Sequence, residues 1–149
     1  MSMIERRVQA ERGTLPMLRM AVADDSPTIL RVFSRLVQAV GAERVAVIDQ
    51  YSSGEKIISA VKENPGKYNL VITDGKMGLG KNGVDVAREL GGILPVYISS
   101  GGMSDFDIDD PKLLEKTGFS GALSKPYNMK DVQVFLSLAL KKLAQSEKK

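Results

Sequence analysis

One short stretch of the sequence constrains the fold more than any other: residues 70–77, which read Leu-Val-Ile-Thr-Asp-Gly-Lys-Met. An apolar, β-branched run ends abruptly there at a single carboxylate, Asp74. Such a run is typical of a strand buried in a parallel sheet, and open α/β sheets bind ligands at the carboxyl ends of their strands. Asp74 is therefore a candidate for chemistry. Taken alone, the stretch favours the simpler interpretation that Asp74 caps the next turn.

Four other apolar runs favour a functional role for Asp74 instead. They cover residues 18–23, 45–48, 95–99 and 121–124, and each has the length and composition of a strand. Three of them are followed by polar side chains that a carboxylate site could use. Asp24 and Asp25 follow residues 18–23, Ser100 follows residues 95–99, and Lys125 follows residues 121–124.

Helical patterns alternate with these strands. Ser26-Pro27 begins the first helix, with Ser26 or Asp25 as its N-cap and the proline in its first turn. Further helices are predicted from Ser53, over Val84–Leu90, over about 110–117 and after the capping residue Asn128. Five strands alternating with five helices imply parallel pairing through right-handed crossovers, and hence a three-layer α/β/α sandwich. The polar residues at the strand ends then meet at one edge of the sheet.

The absence of two residue types narrows the chemistry of that edge. The chain has 149 residues, and none of them is cysteine or histidine. This excludes disulfides, thiolate or imidazole metal sites, cysteine nucleophiles and Ser-His-Asp triads. The remaining chemistry must use carboxylates, lysines, hydroxyls and a hard cation held by oxygen.

The predicted cluster suits the formation of an aspartyl phosphate. Three converging carboxylates, those of Asp24, Asp25 and Asp74, repel one another and must share a proton or a cation. An all-oxygen site with room for water suits Mg²⁺. With the cation bound, one carboxylate can attack phosphorus, while Lys125 and Ser100 interact with the oxygens of the transferred group.

These residues resemble the receiver domains of two-component response regulators. The resemblance covers Leu18–Leu143 and rests on an Asp-Asp pair after the first strand, an Asp after the third, a Ser after the fourth and a Lys-Pro pair after the fifth. Each element alone is weak, but four in order at the correct strand ends are a specific signature. The resemblance implies a flavodoxin-like, five-stranded parallel sheet in the order 2-1-3-4-5.

The resemblance also implies roles for individual residues. Asp74 would accept the phosphoryl group from a phosphohistidine. Asp25, Asp74 and the backbone carbonyl of Lys76 would coordinate Mg²⁺, with Asp24 assisting through water. Ser100 and Lys125 would bind the phosphoryl group.

The sequence departs from the receiver pattern in three places. Met77 is followed by Gly78 where receivers usually carry proline, and the loop to Asn82-Gly83 is one residue longer than usual, which questions its rigidity. The position of the usual switch aromatic, three residues before Lys125, holds Ala122, so the usual relay from a hydroxyl to an aromatic ring is not expected. Lys76 occupies a position that tunes phosphoryl lifetime in receivers.

The sequence and the resemblance together predict the organisation and partners of the chain. We expect an N-terminal extension over residues 1–16, a receiver domain over 17–146 and a basic tail over 147–149. We expect a stand-alone cytoplasmic signalling protein that catalyses at most its own phosphorylation and dephosphorylation. Its predicted partners are a histidine kinase or phosphotransfer protein and a downstream protein target. Binding to nucleic acid or membrane is not expected, and the predicted state is a monomer or weak dimer.

Other interpretations stay open at the level of sequence. Singly, Asp24 could cap a helix, Lys125-Pro126 could form a turn and Ser100 could be a loop residue. A pseudo-receiver that acts as a protein-interaction adaptor without phosphate would share the fold. A dehalogenase-type phosphatase would also form an aspartyl phosphate, but it needs a second acid two residues after the nucleophile, where this chain has Lys76.

Overall fold

The computed structural model describes Met3 and residues 16–78, 80–101 and 118–147. Within these residues the strands are β1 (Leu18–Ala23), β2 (Val45–Tyr51), β3 (Leu70–Asp74), β4 (Val96–Gly101) and β5 (Gly121–Lys125). They pair in parallel as one sheet in the order β2-β1-β3-β4-β5. The predicted sheet and its order are confirmed.

Helices cover both faces of this sheet. They are α1 (Pro27–Gly41), α2 (Gly54–Glu63), α3 (Gly83–Leu90) and α4 (Met129–Glu147), and a short 3₁₀ turn at Ala42–Arg44 follows α1. On one face, the buried side chains of α1 and α4 pack together against the sheet, and on the other face those of α2 and α3 do the same. The predicted helix near 110–117, the preceding acidic loop and the N-terminal extension up to residue 15 lie outside the described residues.

Local side-chain contacts fix where the helices begin. Ser26 Oγ accepts the N–H of Ile29 at 3.3 Å, and Asn128 Oδ1 accepts the N–H of Asp131 at 2.7 Å. These contacts satisfy backbone donors that have no partner inside the helix. They confirm Ser26, rather than Asp25, as the cap of α1 and Asn128 as the cap of α4. In the part of the chain that the structure describes, no helix is long and apolar enough to cross a bilayer.

Three strands extend beyond the predicted bounds. β2 continues to Tyr51 because its parallel pairing with β1 runs on as far as Ala23. β4 begins at Val96, rather than at Pro95, and continues to Gly101, which pairs with Lys125. Lys125 is consequently the last residue of β5 and does not follow the strand as predicted.

A polar cluster joins the edge strand β2 to the segment that leads into β3. The buried Tyr68 donates its hydroxyl to Asp49 Oδ2, and the Lys67 ammonium lies 3.1 Å from the same oxygen. The Tyr68 contact is the main reason that the pKa of Asp49 lies below its ordinary value, and Lys67 acts in the same direction. An acid whose pKa is depressed by folding stabilises the folded state only while it is ionised.

We therefore expect Tyr68→Phe to reduce stability in a pH-dependent way. Near neutral pH the free energy of unfolding should fall by about 1–2 kcal/mol, the typical cost of losing a hydrogen bond to a charged group. The difference from the unmodified protein should shrink as the pH falls below the ordinary Asp value of 3.8, because the carboxylate is then protonated. Urea unfolding over a range of pH measures this. Tyr51→Phe, which spares the Tyr68–Asp49 contact, is the control, and a pH-independent loss in Tyr68→Phe would contradict the assignment.

Candidate functional site

Three carboxylates meet at the carboxyl edge of the sheet. Each of Asp24, Asp25 and Asp74 places a carboxylate oxygen within 4.8 Å of the others. Asp24 and Asp25 follow β1 directly, Asp74 ends β3, and these two strands are neighbours in the sheet. The register Ala23↔Thr73 brings the two chain segments level with each other, so the acids converge. The structure thus brings together the three acids that the sequence singled out.

The two acids after β1 are held differently. Asp24 is 3% exposed, and both of its carboxylate oxygens have partners. Oδ1 accepts a hydrogen bond from the N–H of Ser26 at 2.9 Å, and Oδ2 accepts one from the ammonium of Lys125 at 2.6 Å. Asp25, in contrast, is exposed. The carboxylate of Asp25 is therefore accessible for direct binding of a cation, whereas that of Asp24 is already engaged.

Lys125 brings a positive charge to the acids from β5. Its Nζ lies 2.6 Å from Asp24 Oδ2 and 3.1 Å from Asp74 Oδ1. Burial alone would lower the pKa of this lysine, but the contacts with Asp24 and Asp74 outweigh burial and raise the pKa overall. Lys125 is therefore a permanently charged group that bridges two carboxylates.

The ionised form of Asp74 remains unfavourable despite its contact with Lys125. Burial, followed by repulsion from Asp24, raises its pKa above the ordinary value, while Lys125 and the N–H of Gly75, which donates to Oδ1 at 2.8 Å, oppose the shift. Lys125 contacts two of the three clustered carboxylates, those of Asp24 and Asp74. A divalent cation would relieve the remaining repulsion, and carboxylate oxygens are the ligands that Mg²⁺ prefers. The donor set fits Mg²⁺.

The remaining predicted site residues are only partly placed by the structure. Ser100 lies in β4 and pairs with Ser124, but its side chain is outside what the structure describes. Lys76 follows Asp74 by two residues and has an exposed side chain. Ala122, at the position of the missing aromatic, lies in β5 and packs against the core on the α2 and α3 face. The roles assigned to Ser100 and Lys76 stay predictions.

The loop after Asp74 is anchored at its far end. Glu55 Oε1, in the first turn of α2, accepts the N–H of Lys81 at 2.6 Å. Asn82 caps α3 by accepting the N–H groups of Val84 and Asp85, and Asp85 accepts the N–H of Asn82 in return. This reciprocal capping box fixes the chain as it enters α3. The loop is therefore fixed by side-chain contacts at its far end, and whether the absence of proline after Met77 changes its rigidity is not tested by these contacts.

Gly83 lets this loop approach the end of β3 closely. Its N–H donates to the carbonyl of Gly75 at 3.1 Å, and a Cβ atom added at Gly83 would lie 2.6 Å from the carbonyl oxygen of Asp74. Any side chain would therefore have to push apart α3 and the backbone that carries Asp74. Sequence reasoning placed Gly83 only at the end of a long loop, because its neighbours depend on the path of the chain.

We expect Gly83→Ala to disturb both the fold and the acid cluster. The clash is with backbone, so the free energy of unfolding should fall by about 1–3 kcal/mol, as for other overpacked sites. The affinity for Mg²⁺ should also fall, because Asp74 is displaced. Urea unfolding and calorimetric titration with Mg²⁺ measure the two effects. Gly92→Ala is the matched control, since no atom lies within 4 Å of a Cβ added there. Equal stability and Mg²⁺ affinity in the two variants would contradict the close approach at Gly83.

Comparison with solved structures finds many response regulator receiver domains that cover most of the chain. A receiver domain protein from Clostridium thermocellum is 29% identical, with a TM-score of 0.68 over 89% of this chain and 98% of that one. A receiver protein from Burkholderia phymatum is 28% identical, with a TM-score of 0.62 over 82% of this chain and 94% of that one.

A third solved structure agrees at the level of the fold. The receiver domain of AraT from Geobacillus stearothermophilus has a TM-score of 0.72 over 88% of this chain and 98% of that one, at 13% identity. No protein-family model matches the sequence, and no curated protein matches it. The resemblance to receiver domains that the sequence suggested is confirmed by these structural neighbours.

Proposed function

We propose that this chain acts as a receiver domain in two-component signalling, in which Asp74 accepts a phosphoryl group from a phosphohistidine. The observation that carries the proposal is the convergence of Asp24, Asp25 and Asp74 within 4.8 Å, with Lys125 bridging two of them. Parallel strands end at one edge in any sheet of this kind, but the fold does not require the residues at that edge to be three acids and a lysine. Similarity to receiver domains over most of the chain supports the same assignment.

The cation site would be formed by the first and third strands. Asp25 and Asp74, with the backbone carbonyl of Lys76, would hold Mg²⁺, and Asp24 would assist through water. When bound, Mg²⁺ would neutralise charge on the transferring phosphoryl oxygens. Asp24 would have a second role, because it accepts hydrogen bonds both from the start of α1 and from the ammonium of Lys125. The acid that is least exposed thus orients the lysine.

The transfer itself needs one nucleophile and one leaving group. A carboxylate oxygen of Asp74 donates an electron pair to phosphorus, and the bond between phosphorus and the donor imidazole nitrogen breaks. The electrons of that bond stay on the imidazole nitrogen, and the ring takes up one proton from solvent and leaves as neutral imidazole. The product is an acyl phosphate on Asp74. Lys125 would move its contact from Asp74 Oδ1 to an oxygen of the new phosphoryl group, and the hydroxyl of Ser100 would donate to another.

We propose that this change in the contacts of Lys125 and Ser100 alters the protein surface and so transmits the signal. Lys125 ends β5 and Ser100 lies in β4, so both strand ends would shift towards the phosphoryl group. We propose that a partner protein reads the resulting change in the surface near β5, with a histidine kinase or phosphotransfer protein as the donor. We further propose that this takes place in the cytoplasm and that the chain is a monomer or a weak dimer.

Phosphorylation by a small donor tests this proposal directly. We expect incubation with acetyl phosphate and Mg²⁺ to add the mass of one phosphoryl group to the intact protein. A chelator in place of Mg²⁺ should prevent the addition. The proposal is wrong if Asp74 is never modified, whether or not Mg²⁺ binds. A pseudo-receiver that acts as a protein-interaction adaptor would then be the better assignment.

A further inference from the structure

The hydroxyls of the buried Ser99 and the half-buried Tyr127 contact each other near the acid cluster. Ser99 lies in β4, is 1% exposed and pairs in register with Asp74 of β3. Its Oγ contacts the hydroxyl of Tyr127, which lies in the turn between β5 and α4. Neither residue belongs to the receiver signature described above, and neither has a role in the proposed transfer step.

Both hydroxyls are next to residues that do have such a role. Ser99 immediately precedes Ser100, and Tyr127 follows Lys125 by two residues. The contact therefore joins the end of β4 to the chain just after β5, across the two strands that supply the proposed phosphoryl-binding groups. The acids proposed to hold Mg²⁺ come instead from the ends of β1 and β3.

The ring of Tyr127 also packs against the core. Its ring packs against that of the fully buried Phe33 in α1, with ring centroids 5.2 Å apart and the planes tilted by 59°. Burial raises the pKa of the Tyr127 phenol, which therefore stays neutral and able to donate a hydrogen bond. The ring of Tyr127 thus packs against the core while its hydroxyl contacts Ser99.

We propose that the Ser99–Tyr127 contact positions the ends of β4 and β5 so that Ser100 and Lys125 reach a phosphoryl group on Asp74 together. The two are positioning residues, since they act through their neighbours, and the inference rests on the proposed function. It predicts that the site has two separable halves. Loss of the contact should weaken the phosphoryl half on β4 and β5 and spare the cation half on β1 and β3.

Calorimetric titration of the full chain can separate the two halves. The probes are Mg²⁺ alone and beryllofluoride, a stable mimic of the phosphoryl group, added in the presence of saturating Mg²⁺. The variants are Tyr127→Phe, Ser99→Ala and the double variant. Tyr97→Phe is the matched control, because it removes the hydroxyl of a different tyrosine, which is buried and whose ring packs edge-on against Phe135.

We expect each single variant to bind beryllofluoride roughly fivefold to tenfold more weakly, the change that accompanies the loss of one buried hydrogen bond. Mg²⁺ affinity should not fall in either variant. The double variant should be no weaker than the single variants, because all three lack the same contact. Tyr97→Phe should behave like the unmodified protein. A merely structural contact would instead change the two affinities together.

The outcomes that would overturn this inference differ from those that would overturn the proposed function. Unchanged beryllofluoride affinity in Tyr127→Phe and Ser99→Ala, or additive losses in the double variant, would overturn this inference and leave the proposed function intact. Equal losses of Mg²⁺ and beryllofluoride affinity would overturn it as well. If the unmodified protein binds Mg²⁺ but not beryllofluoride, the proposed function is wrong and this inference falls with it. Two independent single variants keep the test decisive if one of them folds poorly.

Discussion

Replacing Asp74 with asparagine is expected to abolish phosphorylation by acetyl phosphate and leave the fold intact. The amide has nearly the same shape, so packing at the end of β3 is preserved, but it has no anionic oxygen to attack phosphorus. Intact-mass measurement after incubation with acetyl phosphate and Mg²⁺ should show one added phosphoryl group in the unmodified protein and none in the variant. The effect should be complete, because the described site offers no second acid in an equivalent position on β3.

The same variant should be more stable than the unmodified protein when Mg²⁺ is absent. Burial and Asp24 raise the pKa of Asp74, so its ionisation at neutral pH opposes folding, and a neutral amide removes that cost. The difference should disappear as the pH falls below the ordinary Asp value of 3.8, where Asp74 is protonated in both the folded and unfolded states. Asp131→Asn, at an exposed position in α4, is the control. Continued phosphorylation of Asp74→Asn would show that another residue is the acceptor.

Replacing Lys125 with alanine should shift two affinities in opposite directions. The phosphoryl group would lose a charge-assisted contact, so beryllofluoride should bind roughly tenfold to a hundredfold more weakly, as expected for a hydrogen bond from a charged donor. Mg²⁺ should bind more tightly, because the positive charge that lies 2.6 Å from Asp24 and 3.1 Å from Asp74 is gone. Calorimetric titrations with each probe measure both changes.

Opposite shifts distinguish this role of Lys125 from a structural one. Loss of the lysine also leaves the buried Asp24 without its counter-ion, so the variant should unfold at a lower urea concentration. Lys130→Ala, at an exposed position in α4, is the control for general loss of positive charge. Phosphorylation of the Lys125 variant should also fail to change its affinity for a downstream partner. Equal partner affinities of the phosphorylated variant and the phosphorylated unmodified protein would contradict the role.

The positions of the acids and of Lys125 could be predicted because they follow from the alternation of strands and helices. In a parallel sheet every strand ends at the same edge, so residues such as Asp24, Asp74 and Lys125 must lie near one another. The end of β2 could not be predicted in this way. Its last residues include Asp49 and Gln50, which are tolerated because β2 is an edge strand, and an apolar pattern therefore stops too early.

Contacts that depend on the path of the chain were also beyond sequence reasoning. Ser99 and Tyr127 are 28 residues apart, and no periodic pattern relates them. The receiver pattern places its aromatic at position 122, whereas Tyr127 lies on the other side of Lys125. Similarly, the distance between Gly83 and the backbone of Asp74 is set by how α3 packs on the sheet. Such contacts are specified by packing in three dimensions, which a strand and helix pattern does not contain.

The central claim is that acids from β1 and β3 share one divalent cation while Asp74 takes a phosphoryl group. A crystal structure of the protein with Mg²⁺ and beryllofluoride tests it most directly. We predict one Mg²⁺ in contact with the carboxylates of Asp25 and Asp74, beryllofluoride on Asp74, and the Lys125 ammonium moved onto the beryllofluoride. A structure in which the cation lies elsewhere, or in which Asp74 is unmodified and Lys125 still bridges Asp24 and Asp74, would contradict the account.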